Sequence, residues 1–173
     1  DPANIGETIQ AQGCADLLIV NNAMLRNLVK TDGNYADTAI FTGQVTDMSF
    51  LFCNYNGGSY FDKCTFKNPI YSISNWNTEN VVSMQWMFRY SSYNQSLNNW
   101  NVSNVKNMYS MFANTTVFNK PLNNWNVSNV TDMIDMFKTG RNFEQDISSW
   151  CVPLISSIPS DFDFDSGFEN QTN

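Results

Sequence analysis

The most reactive side chains of this sequence are four thiols, those of Cys14, Cys53, Cys64 and Cys151. Thiols bind zinc, act as nucleophiles or form disulfides. The sequence contains no histidine and no C-x-x-C pair, so it offers neither the cysteine spacing of a typical zinc site nor an imidazole as ligand or base. We therefore expect the cysteines to form disulfides, which requires an oxidising compartment.

The positions of the cysteines leave their pairing open. Cys53 and Cys64 flank Gly57-Gly58, which indicates a loop closed by one disulfide. Cys14 and Cys151 would then remain, and a bond between them conflicts with a linear stack of repeats, where steps of ~4.8 Å accumulate. The alternatives are a bond from Cys14 to Cys53 or Cys64, or a bond between the two ends of neighbouring molecules.

Alternating carboxylates near the end of the chain resemble a calcium-binding loop. They belong to Asp161, Asp163 and Asp165. Phenylalanine occupies both intervening positions and no glutamate stands at the twelfth place, so the match to a calcium loop fails. We expect instead an alternating strand with Phe162 and Phe164 buried, and no metal site.

Catalytic groups are scarce. Glu144 and Asp146 form a carboxylate pair of the kind that cleaves glycosides, but both belong to a loop beside the repeat residue Phe143. There is no histidine, no G-x-S-x-G motif and no phosphate-binding loop. We expect no enzymatic activity and no cofactor.

Charge and hydropathy exclude several classes of partner. Nine basic and sixteen acidic residues give a formal charge of −7, and the basic residues are scattered. Nucleic acids and anionic membranes need a positive patch. The longest apolar run, Leu17 to Val20, is far shorter than the ~20 residues of a membrane span, so no membrane insertion is expected.

Self-similarity with a period of about 25 residues dominates the sequence. Trp76, Trp100, Trp125 and Trp150 are separated by 24, 25 and 25 residues. Each of the first three is followed by a block of the type Val-x-x-Met-x-x-Met-Phe, and an earlier block at Val45 lacks the tryptophan. A single repeat cannot bury such side chains alone, so we predict that they form core columns between stacked repeats.

The spacing within each repeat predicts its structure. Leu122, Trp125 and Val127 follow the L-x-x-L-x-L pattern that ends in a strand. The residues from Val130 to Phe137 place apolar side chains on one face of a short helix. The predicted fold class is a leucine-rich-repeat-like solenoid, with short parallel strands on one face, short helical segments on the other, and about five coils between N- and C-terminal caps.

Three segments follow from this interpretation. Residues 1–38 form an N-terminal cap, with a strand at 16–20 and a short helix at 22–30. Residues 39–152 form the solenoid, with an inserted disulfide loop at 53–68. Residues 153–173 form a C-terminal cap or tail.

The repeat text itself is distinctive. The unit W-N-V-S-N-V-T-D-M-x-x-M-F, followed by F-x-x-x-L-N-N-W, resembles the repeat of BspA-like surface proteins, which include bacterial lipoproteins and adhesins. The resemblance covers Thr42 to Val152 and is best from Leu97 to Phe137. It implies a leucine-rich-repeat-like solenoid, extracellular display and a role in adhesion, and the family has no shared catalytic residues.

Asparagine recurs at three kinds of position. The bend residues Asn80, Asn104 and Asn129 are expected to bond the backbone of the turning chain. The outward-facing residues of the predicted strands form a candidate contact face, made of Asn75, Asn77, Asn99, Asn101, Asn124 and Asn126. Sites with the N-x-S/T pattern for glycosylation are Asn94, Asn101, Asn114, Asn126, Asn129 and Asn170.

Together these features predict a secreted or cell-surface glycoprotein that acts as a non-catalytic adhesion or binding scaffold. The chain begins Asp1-Pro2, which is consistent with removal of a leader. Its expected partners are a protein or glycan on a cell surface, or copies of itself. The alternative is a structural subunit that assembles head to tail into an extracellular filament.

Overall fold

The computed structural model describes residues 5–6, 8–9, 17–36, 40–54 and 67–168. Within these ranges, the helices and strands are β1 (Thr8–Ile9), β2 (Leu17–Ile19), α1 (Asn22–Lys30) and β3 (Ile40–Phe41). The strands form one sheet in the order β1-β2-β3, antiparallel between β1 and β2 and parallel between β2 and β3. All of these elements precede the tryptophan repeats.

Helix α1 spans the residues expected from the sequence. The side chain of Asn21 caps its N-terminus by accepting a hydrogen bond from the amide of Met24 at 3.0 Å. Leu25 and Val29 are buried. The polar side chains of α1 bond the first repeat block: Asn22 accepts from the amide of Thr46 at 2.8 Å. The helix therefore covers the N-terminal end of the repeats.

The predicted leucine-rich-repeat-like solenoid is wrong. In the described part of the repeat region, residues 42–54 and 67–168, there is neither a strand of a continuous sheet nor a helix. Turns occupy the blocks predicted as helices and the segments predicted as strands. The β-pairing between repeats there consists of isolated parallel bridges, from Asp47 to Ser83, Asn107 and Asp132 in succession.

The hydrogen bonds explain why no helix forms in the Val-x-x-Met-x-x-Met-Phe blocks. Alternate amides close tight turns, as in the bond from Met111 to the carbonyl of Met108 at 3.1 Å. The amides between them donate to the next repeat, as in the bond from Phe112 to the carbonyl of Met136 at 2.9 Å. We call this arrangement, which recurs at 48–54, 84–91, 108–115 and 133–140, the turn ladder.

Residues with a left-handed backbone conformation recur at fixed positions of the turn ladder. Ser110 and Asn114 have φ of 50° and 57°, and their counterparts Asp135 and Thr139 have φ of 57° and 55°. A right-handed helix cannot continue through such a residue. The apolar spacing of the block is thus satisfied by two successive turns.

The core columns are present as predicted. The Trp column, defined as Trp76, Trp100, Trp125 and Trp150, stacks with ring centroids 6.5 Å apart at Trp76–Trp100 and 6.2 Å at Trp125–Trp150. A parallel column of phenylalanines stacks at 5.4 to 5.7 Å; its members are Phe52, Phe88, Phe112 and Phe137. The methionines of the repeats are also buried.

The strand predicted around Asp163 is also wrong. Residues 160–168 form turns and bends, and Asp161 and Asp165 have φ of 51° and 55°. Phe164 is 55% exposed, because its backbone carbonyl accepts from the amide of Thr139 at 2.7 Å and continues the turn ladder.

Candidate functional site

The candidate contact face lies above the Trp column. Because Trp100 and Trp125 are buried, the residues beside them in sequence project outward. Asn75, Asn99, Asn101, Asn124 and Asn126 are exposed and Asn77 is half-buried. We call these six residues the polar face.

Each indole fixes the backbone beneath the polar face. The Nε1 of Trp100 donates to the carbonyl of Ile73 at 2.9 Å, and that of Trp125 donates to the carbonyl of Leu97 at 2.9 Å. Since each bond joins one repeat to the preceding one, the asparagines on either side of the indoles are held in rows.

Asn101 and Asn126, each one residue after a tryptophan, are ordered by hydrogen bonds within their own turns. The Oδ1 of Asn101 accepts from the amide of Ser103 at 3.1 Å, and that of Asn126 accepts from the amide of Ser128 at 3.1 Å. These bonds fix the side-chain amide plane. The Nδ2 groups of Asn101 and Asn126 have no protein acceptor among the described residues, so their N–H groups are available to a ligand.

The bend asparagines behave as expected from the sequence. The Nδ2 of Asn104 donates to the carbonyl of Glu79 at 2.7 Å, and that of Asn129 donates to the carbonyl of Ser103 at 2.7 Å. Asn80 makes the corresponding bond to Gly43 at 2.9 Å. These side chains join successive repeats.

The comparisons with known proteins rest on the same repeats. The family model described as Mycoplasma protein of unknown function, DUF285, matches residues 46–173, well over half of the chain. The chain belongs to the DUF285 family. No curated protein and no solved structure gives a significant match.

The glycosylation candidates of this DUF285 chain differ in access. A glycan would be attached to the Nδ2 atom, and in Asn129 that atom bonds a backbone carbonyl. Asn114 is half-buried and accepts from Thr139 Oγ1 at 2.7 Å. Asn94, like Asn101 and Asn126, is exposed. Asn170 lies beyond the described residues.

Two of the four cysteines, Cys53 and Cys151, belong to the described residues. Cys53 is buried and disulfide-bonded, while Cys14 and Cys64 fall outside the described ranges. Cys151 is an exposed, free thiol. Cys151 is therefore not joined to Cys14 within the chain, and the pairing of Cys14 and Cys64 lies outside the described residues.

The acidic residues near the C-terminus pair with cations. Lys138 Nζ lies 2.6 Å from Asp161 Oδ2, and a hydrogen bond to that carboxylate raises the pKa of the lysine. Arg141 Nη2 lies 2.7 Å from Asp165 Oδ2, which raises the pKa of the guanidinium. In the part of the chain that is described, no group of three or more potential ligands is placed to hold a metal ion.

Of the carboxylate pair Glu144 and Asp146, the second makes a hydrogen bond within a turn. Asp146 Oδ1 accepts from the amide of Ser148 at 2.8 Å, and this bond lowers the pKa of the carboxyl. Glu144 is exposed. Asp146 thus caps a turn.

A cavity that the sequence analysis missed lies at the C-terminal end of the turn ladder. It has a volume of about 420 Å³ and is lined by residues 131–134 and 154–160. An apolar cavity of about 220 Å³ adjoins it and shares Met133, Ile155 and Pro159 with it. The sequence feature that could have indicated these cavities is one additional residue before Pro159, relative to the preceding repeat.

Proposed function

We propose that this DUF285 chain is a non-catalytic extracellular adhesion or binding scaffold, related to the BspA-like surface proteins. The observation that carries the proposal is the polar face. It presents exposed side-chain amides in rows on a base of stacked indoles.

The geometry suits recognition of a polar, extended ligand. Ordered amides lose little conformational entropy on binding, so more of their hydrogen-bond energy contributes to affinity. Asn101 and Asn126 each offer Nδ2 donors, and the exposed side chains of Asn99 and Asn124 offer both donors and acceptors. The partner we propose is a glycan or a protein on a cell surface.

Charge supports the same class of partner. The formal charge is −7, and the cations Lys138 and Arg141 are held in ion pairs. Nucleic acids need a patch of positive charge, whereas the nine basic residues are scattered along the sequence. Among the described residues, no helix is long and apolar enough to cross a membrane.

The disulfide at Cys53 supports a secreted or cell-surface location. Disulfides persist in oxidising compartments and are rare where thioredoxin and glutathione keep thiols reduced. A buried sulfur at Cys53 is also shielded from exchange with other thiols.

The test is adhesion of beads coated with the purified chain to cultured cells. The double variant Asn99→Ala and Asn124→Ala removes two exposed amides from the polar face and should lower bead adhesion about tenfold, the equivalent of ~1.4 kcal/mol. The matched control changes Gln95 and Thr116, which are exposed outside the polar face, to alanine. Equal adhesion of both double variants would refute the proposal.

A second candidate function is head-to-tail assembly into an extracellular filament. The exposed thiol of Cys151 favours it, because such a thiol is able to bridge two molecules. The cover that α1 places on the first repeat block opposes direct stacking of repeat ends. Negative-stain microscopy with a non-reducing gel separates the two functions, since assembly requires fibres or ladders of covalent oligomers that Cys151→Ser removes.

A further inference from the structure

The bridges of the turn ladder leave one place vacant at the C-terminal end. At three successive junctions a methionine amide donates to the carbonyl of the bridging residue in the next repeat. The bonds, each of 2.9 Å, are Met48 to Ser83, Met84 to Asn107 and Met108 to Asp132. Met133 is the next methionine of the series, and within the described residues its amide has no acceptor.

A complementary acceptor is vacant beside it. The carbonyls of Val82 and Lys106 accept from Lys106 and Thr131 respectively, each at 2.9 Å. By the same rule the carbonyl of Thr131 should accept from the following segment, but no described residue donates to it.

The vacancy has a cause in the sequence. Ile155 occupies the place of Val130, since both close a turn with the residue three before. In the preceding repeat, Ser110 donates to the carbonyl of Ile134, which lies four residues after Val130. Asp135 donates to the carbonyl of Ser160, which lies five residues after Ile155. The last segment therefore contains one residue more than its predecessor. The extra residue bulges outward, leaving Ile158 91% exposed. Pro159 supplies no amide proton.

The bulge opens the cavity of about 420 Å³ directly beside Thr131 and Met133. The adjoining apolar cavity of about 220 Å³ lies against Met133, Trp150, Ile155 and Phe162. In each earlier repeat the side chain that follows the bridging residue is a buried methionine. The apolar cavity therefore stands where the next methionine of the series would lie.

We propose that these two cavities form a binding cleft for an extended segment of a partner polypeptide. The segment adds parallel to residues 131–133, accepting from the Met133 amide and donating to the Thr131 carbonyl. The residue after the bridging position inserts an unbranched apolar side chain, such as that of methionine, into the apolar cavity. This cleft is separate from the polar face and does not depend on it.

The alternative occupants fit less well. A second folded copy offers no such segment in its described part, because the corresponding methionines are at most 2% exposed. Residues 169–173 of the same chain contain no apolar side chain. A partner polypeptide is able to supply both an extended backbone with unpaired amide and carbonyl groups and an exposed apolar side chain.

The test uses a blocked peptide with the sequence of residues 129–135, Asn-Val-Thr-Asp-Met-Ile-Asp, added to the isotopically labelled full chain. We expect saturable binding in NMR spectra, with a downfield shift of the Met133 amide proton as it gains an acceptor. Methylation of the peptide's threonine nitrogen, or replacement of its methionine by aspartate, should each weaken binding about tenfold or more, the loss expected from one hydrogen bond or one buried side chain.

A pair of protein variants completes the test. Ile158→Asp places a charge on the rim of the cleft and should weaken binding, whereas Ile70→Asp, at a site 61% exposed elsewhere, should not. Absence of binding, equal binding of the methylated peptide, or equal effects of the two variants would overturn the proposal. A dimer that the peptide dissociates would also overturn it, because a second copy would then be the occupant. The Asn99 and Asn124 double variant should bind the peptide normally.

Discussion

The indole Nε1 of Trp125 donates a 2.9 Å hydrogen bond to the backbone carbonyl of Leu97, a residue of the preceding repeat. Trp150 makes the equivalent bond to Leu122 at 3.0 Å, but its indole is only partly buried. The same interaction therefore occurs both in the interior and at the C-terminal end of the Trp column.

The difference in burial predicts that replacement by phenylalanine lowers the free energy of unfolding more at Trp125 than at Trp150. Trp125→Phe removes one of the two donors to the Leu97 carbonyl, which keeps the bond from the Trp100 amide at 3.0 Å. It should lower the free energy of unfolding by about 0.5–1.5 kcal/mol, in addition to the loss of ring area. Trp150→Phe should cost less, because water is able to replace the donor at the end of the column. Differential scanning calorimetry of the two variants measures the difference, and equal losses would contradict the role assigned to burial.

The bend asparagines predict a contrast between two neighbouring residues of one type. Asn104→Ala removes the bond to the carbonyl of Glu79 and should destabilise the chain by about 0.5–1.5 kcal/mol. Asn99→Ala removes an exposed side chain of the polar face and should change stability by less than about 0.5 kcal/mol. Urea unfolding followed by tryptophan fluorescence compares them, and the prediction fails if Asn99→Ala is the more damaging change.

The Trp column and the asparagine bonds were predictable from the sequence, whereas the local backbone was not. A ring repeated every 25 residues must pack against its own kind, since one repeat cannot bury it alone. Helix α1 was predictable because Asn21 and Asn22 precede a short apolar face. The spacing from Val130 to Phe137 fits one helix face and also two successive turns, and periodicity does not report the sign of φ at Asp135.

The cleft was not predictable for a related reason. The extra residue before Pro159 is visible in the sequence, but its effect depends on which amides the preceding repeat uses. Only the ladder of bonds from Met48 to Met108 shows that Met133 stands at a vacant position. Similarly, the alternation of Phe162 and Phe164 is typical of a strand until the left-handed φ of Asp161 is known.

The left-handed positions predict a stabilising substitution. Thr139 is a β-branched residue at φ 55°, whereas its counterpart in the preceding repeat is Asn114 at φ 57°. Asparagine tolerates this region better than threonine does, so Thr139→Asn should raise the free energy of unfolding by about 0.5–1 kcal/mol. Its Nδ2 is able to replace the Thr139 hydroxyl as donor to Asn114 Oδ1.

The reverse exchange serves as the control for that prediction. Asn114→Thr introduces a β-branched residue at a left-handed position and should destabilise the chain. Thermal unfolding of both variants in the same buffer gives the comparison. A lower Tm for Thr139→Asn would show that the threonine hydroxyl matters more than backbone strain.

The capped turn at Asp146 predicts an acid-sensitive contribution to stability. The hydrogen bonds from Ser148 lower the pKa of the Asp146 carboxyl below its ordinary value of 3.8. A carboxyl with a lower pKa in the folded state than in the unfolded state binds fewer protons when folded. Its stabilising contribution is therefore complete above pH 3.8 and is lost as the pH falls through the lower, folded-state pKa.

Asp146→Asn isolates this contribution because the amide oxygen still accepts from Ser148 but does not titrate. The stability difference between the original chain and Asp146→Asn should be constant near neutral pH and should shrink as the pH falls below 3.8. Asp163→Asn is the comparison, since Asp163 is a half-buried carboxylate elsewhere in the C-terminal turns. Urea unfolding at a series of pH values measures both differences, and a gap for Asp146→Asn that widens on acidification would reverse the inferred sign.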